Sequence, residues 1–197
     1  DVDSISKVIL GDIDNDGDLD IAYSREADSN NVGWLENNGN SDPSFDSHIL
    51  SSDEDFAHSI DIADFDSDGD LDIASGQNLG GSRVTLFIND GSADPTFSTY
   101  LVSTTESAID VKFADIDNDG NDEGFFPACC ISSTPGGMYI IDYAPGDNTM
   151  QISSNQVSVI LEEPNNIFHS SSFDIDGNGI SNVFATTVSD DVKQAVI

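Results

Sequence analysis

Short runs of alternating residues occupy most of this chain, and they predict β-strands. Ile60 and Ile62 alternate with their neighbours, and Val111 and Phe113 do the same further along. A period of two is that of a strand with one buried face. No apolar pattern has the 3.6-residue period of an amphipathic helix, and no apolar run approaches the roughly 20 residues of a membrane-spanning helix. The pattern therefore predicts an all-β protein with negligible helix and no membrane insertion.

A nine-residue acidic segment recurs along the chain. The first residues of its four copies are Asp12, Asp64, Asp115 and Asp174, which lie 52, 51 and 59 residues apart. The similarity extends beyond the acidic segments, because residues 12–50 laid over 64–102 without a gap give 15 identities in 39 positions. A regular repeat of this kind predicts a structural unit of about 52 residues.

Each unit is predicted to contain four short strands, with the acidic segment between the first and the second. Residues 37–39 and 89–91 are turn-prone sequences that join the third and fourth strands. Small residues precede the first Asp of the first three units, and they indicate a crowded place where strands converge. These residues are Gly11, Ala63 and Ala114. Four-stranded units of this length predict a β-propeller built of radial blades, whereas a β-sandwich needs about 100 residues and about seven strands.

The predicted propeller, complete or partial, covers residues 1–197 as a single domain. Its blades are predicted at 5–56, 57–107, 108–166 and 167–197. The last blade is incomplete, because only 24 residues remain from Asp174, against 39 from Asp12 to Leu50 in the first unit. Three alternatives stay open: part of a larger propeller, an edge strand supplied by a neighbouring chain, or a closed four-bladed ring with one three-stranded blade. Since the sequence begins with Asp1, we expect a processed or partial product of a longer precursor.

Alternating carboxylates in the acidic segments predict calcium sites. Calcium takes six to eight oxygen ligands at about 2.3–2.6 Å, and a tight loop can aim its first, third and fifth side chains at one point. The Gly at position six allows the reversal, position seven offers its backbone carbonyl, and position nine adds a carboxylate. Zinc would favour His or Cys, of which the chain has three and two.

The candidate ligands occupy positions one, three, five, seven and nine of the segments. They are Asp12, Asp14, Asp16, Asp18 and Asp20; Asp64, Asp66, Asp68, Asp70 and Asp72; Asp115, Asp117, Asp119, Asn121 and Glu123; and Asp174, Asp176, Asn178, Ile180 and Asn182. An EF-hand is excluded, because its chelating Glu at position twelve is absent from all four segments. The fourth segment has two charged ligands, so we expect three strong calcium sites and a fourth weaker one.

These segments resemble the FG-GAP and VCBS repeats, the calcium-binding blades of integrin α-subunit propellers and of many secreted bacterial proteins. The resemblance covers nearly the whole chain and is specific for the first three segments. It implies a β-propeller with calcium in the turn between the first and second strands of each blade. It also implies extracellular use in adhesion, assembly or carbohydrate-active modular proteins, without implying one activity.

The net charge of −33, with 5 basic and 38 acidic residues, excludes a nucleic-acid-binding protein. No catalytic motif is present in the sequence.

His58 and His169 fall in predicted first strands. They are either catalytic bases that face a central channel or packed structural residues. The second interpretation is favoured, because no Lys or Arg lies at a matching place. Trp34 is not repeated, since Leu86 occupies the matching position, which disfavours a lectin with one aromatic platform per blade.

We therefore predict a calcium-stabilised, non-catalytic structural, adhesion or assembly module that is secreted or displayed at the cell surface. Its expected partner is a protein or a glycan, or further copies of the chain in a homo-oligomer. Self-association through the incomplete blade, up to a filament, is one route of assembly. The alternative is an accessory or catalytic propeller domain of a secreted polysaccharide-degrading enzyme.

Overall fold

A computed structural model gives the fold of twelve stretches of the chain. They are residues 5–26, 32–51, 56–77, 83–103, 107–108, 110–115, 120–129, 137–143, 150–151, 167–173, 182–187 and 192–195. Within these stretches every regular element is a β-strand, so the prediction of an all-β protein without helix is confirmed there. Consequently no helix among the described residues is long and apolar enough to cross a membrane.

Four antiparallel sheets follow one another along the chain, each built from strands in sequence order. Sheet one contains β1 (Ile5–Gly11), β2 (Asp20–Arg25), β3 (Val32–Asn37) and β4 (Phe45–Ser51). Sheet two contains β5 (Ala57–Ala63), β6 (Asp72–Gln77), β7 (Arg83–Asn89) and β8 (Phe97–Ser103). Both are the four-stranded units that the repeat predicts.

Sheet three follows the same order with a divided first strand. It contains β9 (Ser107–Ala108), β10 (Lys112–Ala114), β11 (Glu123–Cys129), β12 (Gly137–Tyr143) and β13 (Met150–Gln151), and both β9 and β10 pair with β11. Sheet four has three strands among the described residues, namely β14 (Ile167–Phe173), β15 (Asn182–Thr187) and β16 (Val192–Ala195). The predicted blades contain sheets one, two and four, whereas the predicted boundary at 107/108 divides β9 of sheet three. The grouping into one domain stays a prediction.

The first strand of each sheet is irregular at the same place. Register shifts fall between Ile5 and Lys7 in β1, between Ala57 and Ser59 in β5, and between Ile167 and His169 in β14. Each shift lies six residues before the first Asp of its acidic segment, and the corresponding part of sheet three is the gap between β9 and β10. An extra residue on one strand bends it and increases its twist. Sheets one, two and four therefore share a bulge in the first strand that the sequence pattern does not predict.

Each hydrophobic core is shared between two successive sheets. The first core joins one face of sheet one to sheet two, through Ile13, Ala22, Val32 and Trp34 on one side and Ala57, Ile60, Ile73 and Phe87 on the other. The second joins sheet two to sheet three, through Phe65, Ala74, Val84, Leu86 and Val102 against Ala108, Val111, Phe126 and Ile141. Equivalent positions, such as Ile13 and Phe65, fill both cores. One packing arrangement is thus used twice.

The first strands of successive sheets lie against one another. β1 contacts β5, β5 contacts β10, and β10 contacts β14. At Gly11 a Cβ atom would lie 2.8 Å from Cδ1 of Leu71, and a contact with Ile62 would be closer still. Ala63 and Ala114, at the same position of their repeats, are both buried. The predicted crowding before the first Asp is therefore confirmed.

Candidate metal centre

The acidic segments form the connections between first and second strands. Residues 12–19 join β1 to β2, residues 64–71 join β5 to β6, and residues 115–122 join β10 to β11. Position nine of each segment is the first residue of the second strand, occupied by Asp20, Asp72 and Glu123. We call the three segments loops one, two and three and keep the position numbers one to nine.

Loops one and two have left-handed backbone at the same two positions. Asn15 and Ser67, at position four, have φ values of 58° and 60°, and Gly17 and Gly69, at position six, have 96° and 101°. Left-handed backbone is uncommon for residues other than glycine. Gly120 of loop three repeats the glycine conformation with φ 97°. Two left-handed residues close together produce the reversal that the glycine at position six was expected to allow.

Position one is anchored by one of its two carboxylate oxygens. The backbone N–H of Gly17 donates to Asp12 Oδ2, and that of Gly69 donates to Asp64 Oδ2, each at 3.1 Å. Gly120 donates to Asp115 in the same way at 3.1 Å. The other oxygens, Asp12 Oδ1 and Asp64 Oδ1, are buried and have no hydrogen-bond partner. Because a buried polar atom without a partner is costly, each of these oxygens is matched to a ligand that accepts its lone pairs.

Position nine holds the loop onto its sheet. Asp20 Oδ2 accepts the N–H of Ile13 at 2.9 Å, and Asp20 Oδ1 accepts the N–H of Asn37 at 2.8 Å. Asp72 makes the equivalent bonds to Phe65 at 2.9 Å and Asn89 at 2.8 Å. Both carboxylates are fully buried. Each one therefore ties position two of its loop to the end of the third strand.

Positions one, three and nine converge on one point in loops one and two. One carboxylate oxygen from each of Asp12, Asp14 and Asp20 lies within 4.8 Å of the other two, and the same holds for Asp64, Asp66 and Asp72. Asp66 Oδ1 is a further buried oxygen without a hydrogen-bond partner. Three carboxylates, with oxygen as the only ligand atom, suit a hard cation such as calcium. The residues present therefore fit the predicted metal.

Burial and neighbouring charges raise the pKa of two carboxylates in loop two, Asp66 and Asp72. Burial, followed by the charge of Asp68, raises the pKa of Asp66 to about 6. Burial, with the charge of Asp66 adding to it, raises the pKa of Asp72 to about 7. The unfolded chain releases these protons at lower pH, so in metal-free protein these groups lower the folding stability as pH rises from 3.8 to about 7. A bound cation would relieve this repulsion.

Positions five and seven lie outside the two converging groups. Asp16 Oδ1 accepts the N–H of Asp18 at 2.9 Å, and Asp68 Oδ1 accepts the N–H of Asp70 at 3.1 Å. The carboxylates of Asp18 and Asp70 lie against the turn glycines Gly39 and Gly91. The side chains at position seven therefore contact the turn between the third and fourth strands. Metal binding by the backbone carbonyl at position seven stays a prediction.

Gly91→Ala is expected to destabilise the protein by about 2–3 kcal/mol. Gly91 has φ 63°, and a Cβ atom there would collide with the carboxylate of Asp70. Urea unfolding followed by circular dichroism measures the loss. In an Asp70→Ala background the collision is absent, so the same substitution should cost only the roughly 1 kcal/mol of backbone strain. An equal cost in both backgrounds would show that the contact with Asp70 is unimportant.

The remaining predicted ligands are described only in part. In loop three, Asp115, Asn121 and Glu123 are described, whereas Asp117 and Asp119 lie outside the described residues. Burial, followed by the charge of Asp115, raises the pKa of Asp122, an acidic neighbour at position eight. In the fourth segment only Asn182 falls within a described strand, at the start of β15, and the other four predicted ligands lie outside. These are Asp174, Asp176, Asn178 and Ile180, and the weaker fourth site stays a prediction.

Successive loops are joined by hydrogen bonds that the sequence did not predict. Asn15 Nδ2, at position four of loop one, donates to Asp70 Oδ1, at position seven of loop two. Ser67 Oγ, at position four of loop two, donates to Asn121 Oδ1, at position seven of loop three, at 2.5 Å. A third bond runs from Asn89 Nδ2 to the carbonyl oxygen of Ile13 at 2.9 Å. The only available signal was the polar residue at position four of both loops.

Partly buried ion pairs also connect the regions of the first strands. Lys7 Nζ lies 3.7 Å from Asp110 Oδ1, and Lys112 Nζ lies 3.7 Å from Asp61 Oδ1. Asp61 also accepts the N–H of Phe113 at 3.0 Å. Sequence reasoning missed this arrangement, because these residues are far apart along the chain. The pairs link sheets one and two to sheet three.

Trp34 and His58, which the sequence singled out, each contact a side chain of the first repeat. Trp34 is 1% exposed and stacks on the His48 ring, with centroids 4.4 Å apart. It therefore belongs to the first core and is no surface platform for a sugar. His58 Nε2 lies 3.4 Å from Glu26 Oε1, and its interpretation as a structural residue stays a prediction. The side chain of His169 lies outside the described residues.

Taken together, these features define a class: an all-β repeat protein in which the acidic loop between the first two strands of a sheet gathers carboxylates that could hold a metal ion. Residues 12–75 match the family model of the FG-GAP-like repeat. The chain thus contains FG-GAP-like repeat sequence from loop one into β6, which confirms the FG-GAP resemblance for the first two acidic segments. No curated protein sequence matches the chain significantly.

Proposed function

We propose that this protein is a calcium-stabilised, extracellular β-propeller module with a structural, adhesive or assembly role and no catalytic activity of its own. FG-GAP repeats typically occur in extracellular proteins, which supports the location. The repeated core arrangement supports the architecture, because sheets that pack face to face with their first strands together are the arrangement of propeller blades.

The observation that carries the proposal is the set of buried carboxylate oxygens without hydrogen-bond partners in loops one and two. Each belongs to a group of three carboxylates whose oxygens lie within 4.8 Å of one another. Equivalent positions in two repeats show the same arrangement, so it belongs to the repeat and not to one accidental contact. Calcium in these groups would neutralise charge that otherwise opposes folding. In this role it would stabilise the folded module.

Calcium is expected to raise the melting temperature, and EDTA to lower it. A cation that binds only the folded state stabilises it by about 2.7 kcal/mol per site at 100 times its dissociation constant. Calorimetric titration gives the number of sites, and thermal unfolding followed by circular dichroism gives the shift. Magnesium serves as the comparison cation, because it requires stricter octahedral geometry.

The matched variants for this test are Asp64→Asn, which alters loop two, and Asp42→Asn, which alters an exposed aspartate outside the loops. Asp64→Asn should reduce the stoichiometry and the calcium-dependent shift, and Asp42→Asn should leave both unchanged. A melting temperature that is the same in calcium and in EDTA would disprove the calcium proposal. Turnover of an acidic or neutral polysaccharide in calcium would contradict the non-catalytic role.

A further inference from the structure

One face of sheet one exposes apolar side chains, and some of the matching positions in the other repeats are fully buried. Val8, Leu10 and Leu19 are 53%, 58% and 58% exposed. Ile21 and Leu35, on the neighbouring strands, are only half-buried. We call these five residues the open face of sheet one. It is distinct from the face that carries Ile13 and Trp34, which packs against sheet two.

The same positions in sheets two and three are covered by the preceding sheet. Ile60 and Val111, each four residues before the first Asp as Val8 is, are fully buried. Ile73 and Phe87, which match Ile21 and Leu35, are also fully buried, in the core shared with sheet one. The open face therefore has the composition and position of the faces that are covered between sheets one and two and between sheets two and three.

Polar groups at the edge of the open face repeat the same pattern. Asp70 and Asn121, at position seven, accept a hydrogen bond from position four of the preceding loop. Asp18 is the equivalent residue of loop one, and within the described part of the chain no preceding loop donates to it. Asn37 and Asn89 each donate to a carbonyl of their own loop, that of Leu19 and Leu71 respectively. Asn89 donates in addition to the carbonyl of Ile13 in the preceding repeat, and among the described residues Asn37 has no such second bond.

We propose that the open face of sheet one docks another acidic-loop repeat of the same type. The partner presents apolar residues like Ile13 and Trp34, and an Asn or Ser at position four of its loop that donates to Asp18. This occupant is chosen because the established interface between sheets one and two has that chemistry. The fourth segment of this chain has Gly177 at position four, which has no side-chain donor. A second copy presenting that segment is therefore a poorer match. The proposal is independent of whether the loops bind calcium.

The test extends the 197-residue chain by a second copy of residues 1–56 placed directly before residue 1. The added repeat carries Ile13, Trp34 and Asn15 and so presents the partner face. Docking should raise the melting temperature on the order of 5 °C and reduce the binding of an apolar dye relative to the original chain. Sedimentation should show both chains as monomers.

The control substitution is Leu10→Asp, made in the original first repeat of each chain. It should leave the melting temperature of the 197-residue chain unchanged, because Leu10 is exposed, and should abolish the gain in the extended chain. Asn15→Ala in the added copy should reduce the gain. An extended chain with no gain, or an equal effect of Leu10→Asp in both chains, overturns the proposal. Self-association of the 197-residue chain that Leu10→Asp abolishes overturns it as well, since a second copy would then be the occupant.

Discussion

Asp72→Ala is expected to destabilise the protein by about 2–4 kcal/mol even when all calcium has been removed. Asp72 is fully buried, and its two carboxylate oxygens accept the N–H groups of Phe65 and Asn89. Alanine leaves both N–H donors buried without an acceptor. We expect this loss of stability to exceed the stability gained by removing the charge repulsion. If calcium binds as proposed, the loss should be larger in calcium, because a ligand is removed as well. Urea unfolding in EDTA and in calcium measures the two parts separately.

Asp64→Asn is the comparison that separates the two roles. Asp64 accepts one N–H from Gly69, and its second oxygen has no hydrogen-bond partner. Asparagine keeps an acceptor and removes the charge, so in EDTA we expect little change, and in calcium a clear loss of stability. If Asp72→Ala were as stable as the original protein in EDTA, the carboxylate would act only through its charge, and the bonding described for position nine would be unimportant.

The sequence predicted the features that repeat within short stretches. Alternation of apolar residues predicted the strands, and the spacing of the carboxylates predicted loops between the first and second strands. The small residues before the first Asp predicted crowding, which Gly11 shows in its approach to Leu71. These predictions succeeded because strand period, turn chemistry and loop geometry are local properties.

Contacts between repeats could not be predicted in the same way. Asn15 and Asp70 were both visible as loop residues, but their hydrogen bond depends on how sheet two packs against sheet one. The sequence assigned Asn37 and Asn89 to the turn between the third and fourth strands. It did not predict that their backbone N–H groups donate to the carboxylate at position nine. Position nine therefore has a structural role besides its place in the candidate metal site. Sequence spacing alone does not distinguish the two.

Trp34→Ala is expected to have the largest effect of any single substitution in the described cores, about 3–5 kcal/mol. Trp34 is 1% exposed and lies in the core between sheets one and two, with Ile60 and Phe87 from the neighbouring sheet. Removing the indole leaves a cavity at the contact between two repeats, and it also removes the stack on His48. The loss should therefore weaken both the sheet and its attachment to the next one. Equilibrium unfolding in urea, followed by far-UV circular dichroism, measures it.

Trp34→Leu is the matched control that the repeat itself supplies, because Leu86 fills the equivalent position of sheet two and is fully buried. Leucine should retain much of the buried apolar surface, so its cost should be well below that of alanine. Hydrogen exchange should show faster opening of β3 and β5 in Trp34→Ala than in Trp34→Leu, since those strands meet at this core. If opening increased in β3 alone, the two sheets would be stabilised independently. The shared core would then not be what couples one repeat to the next.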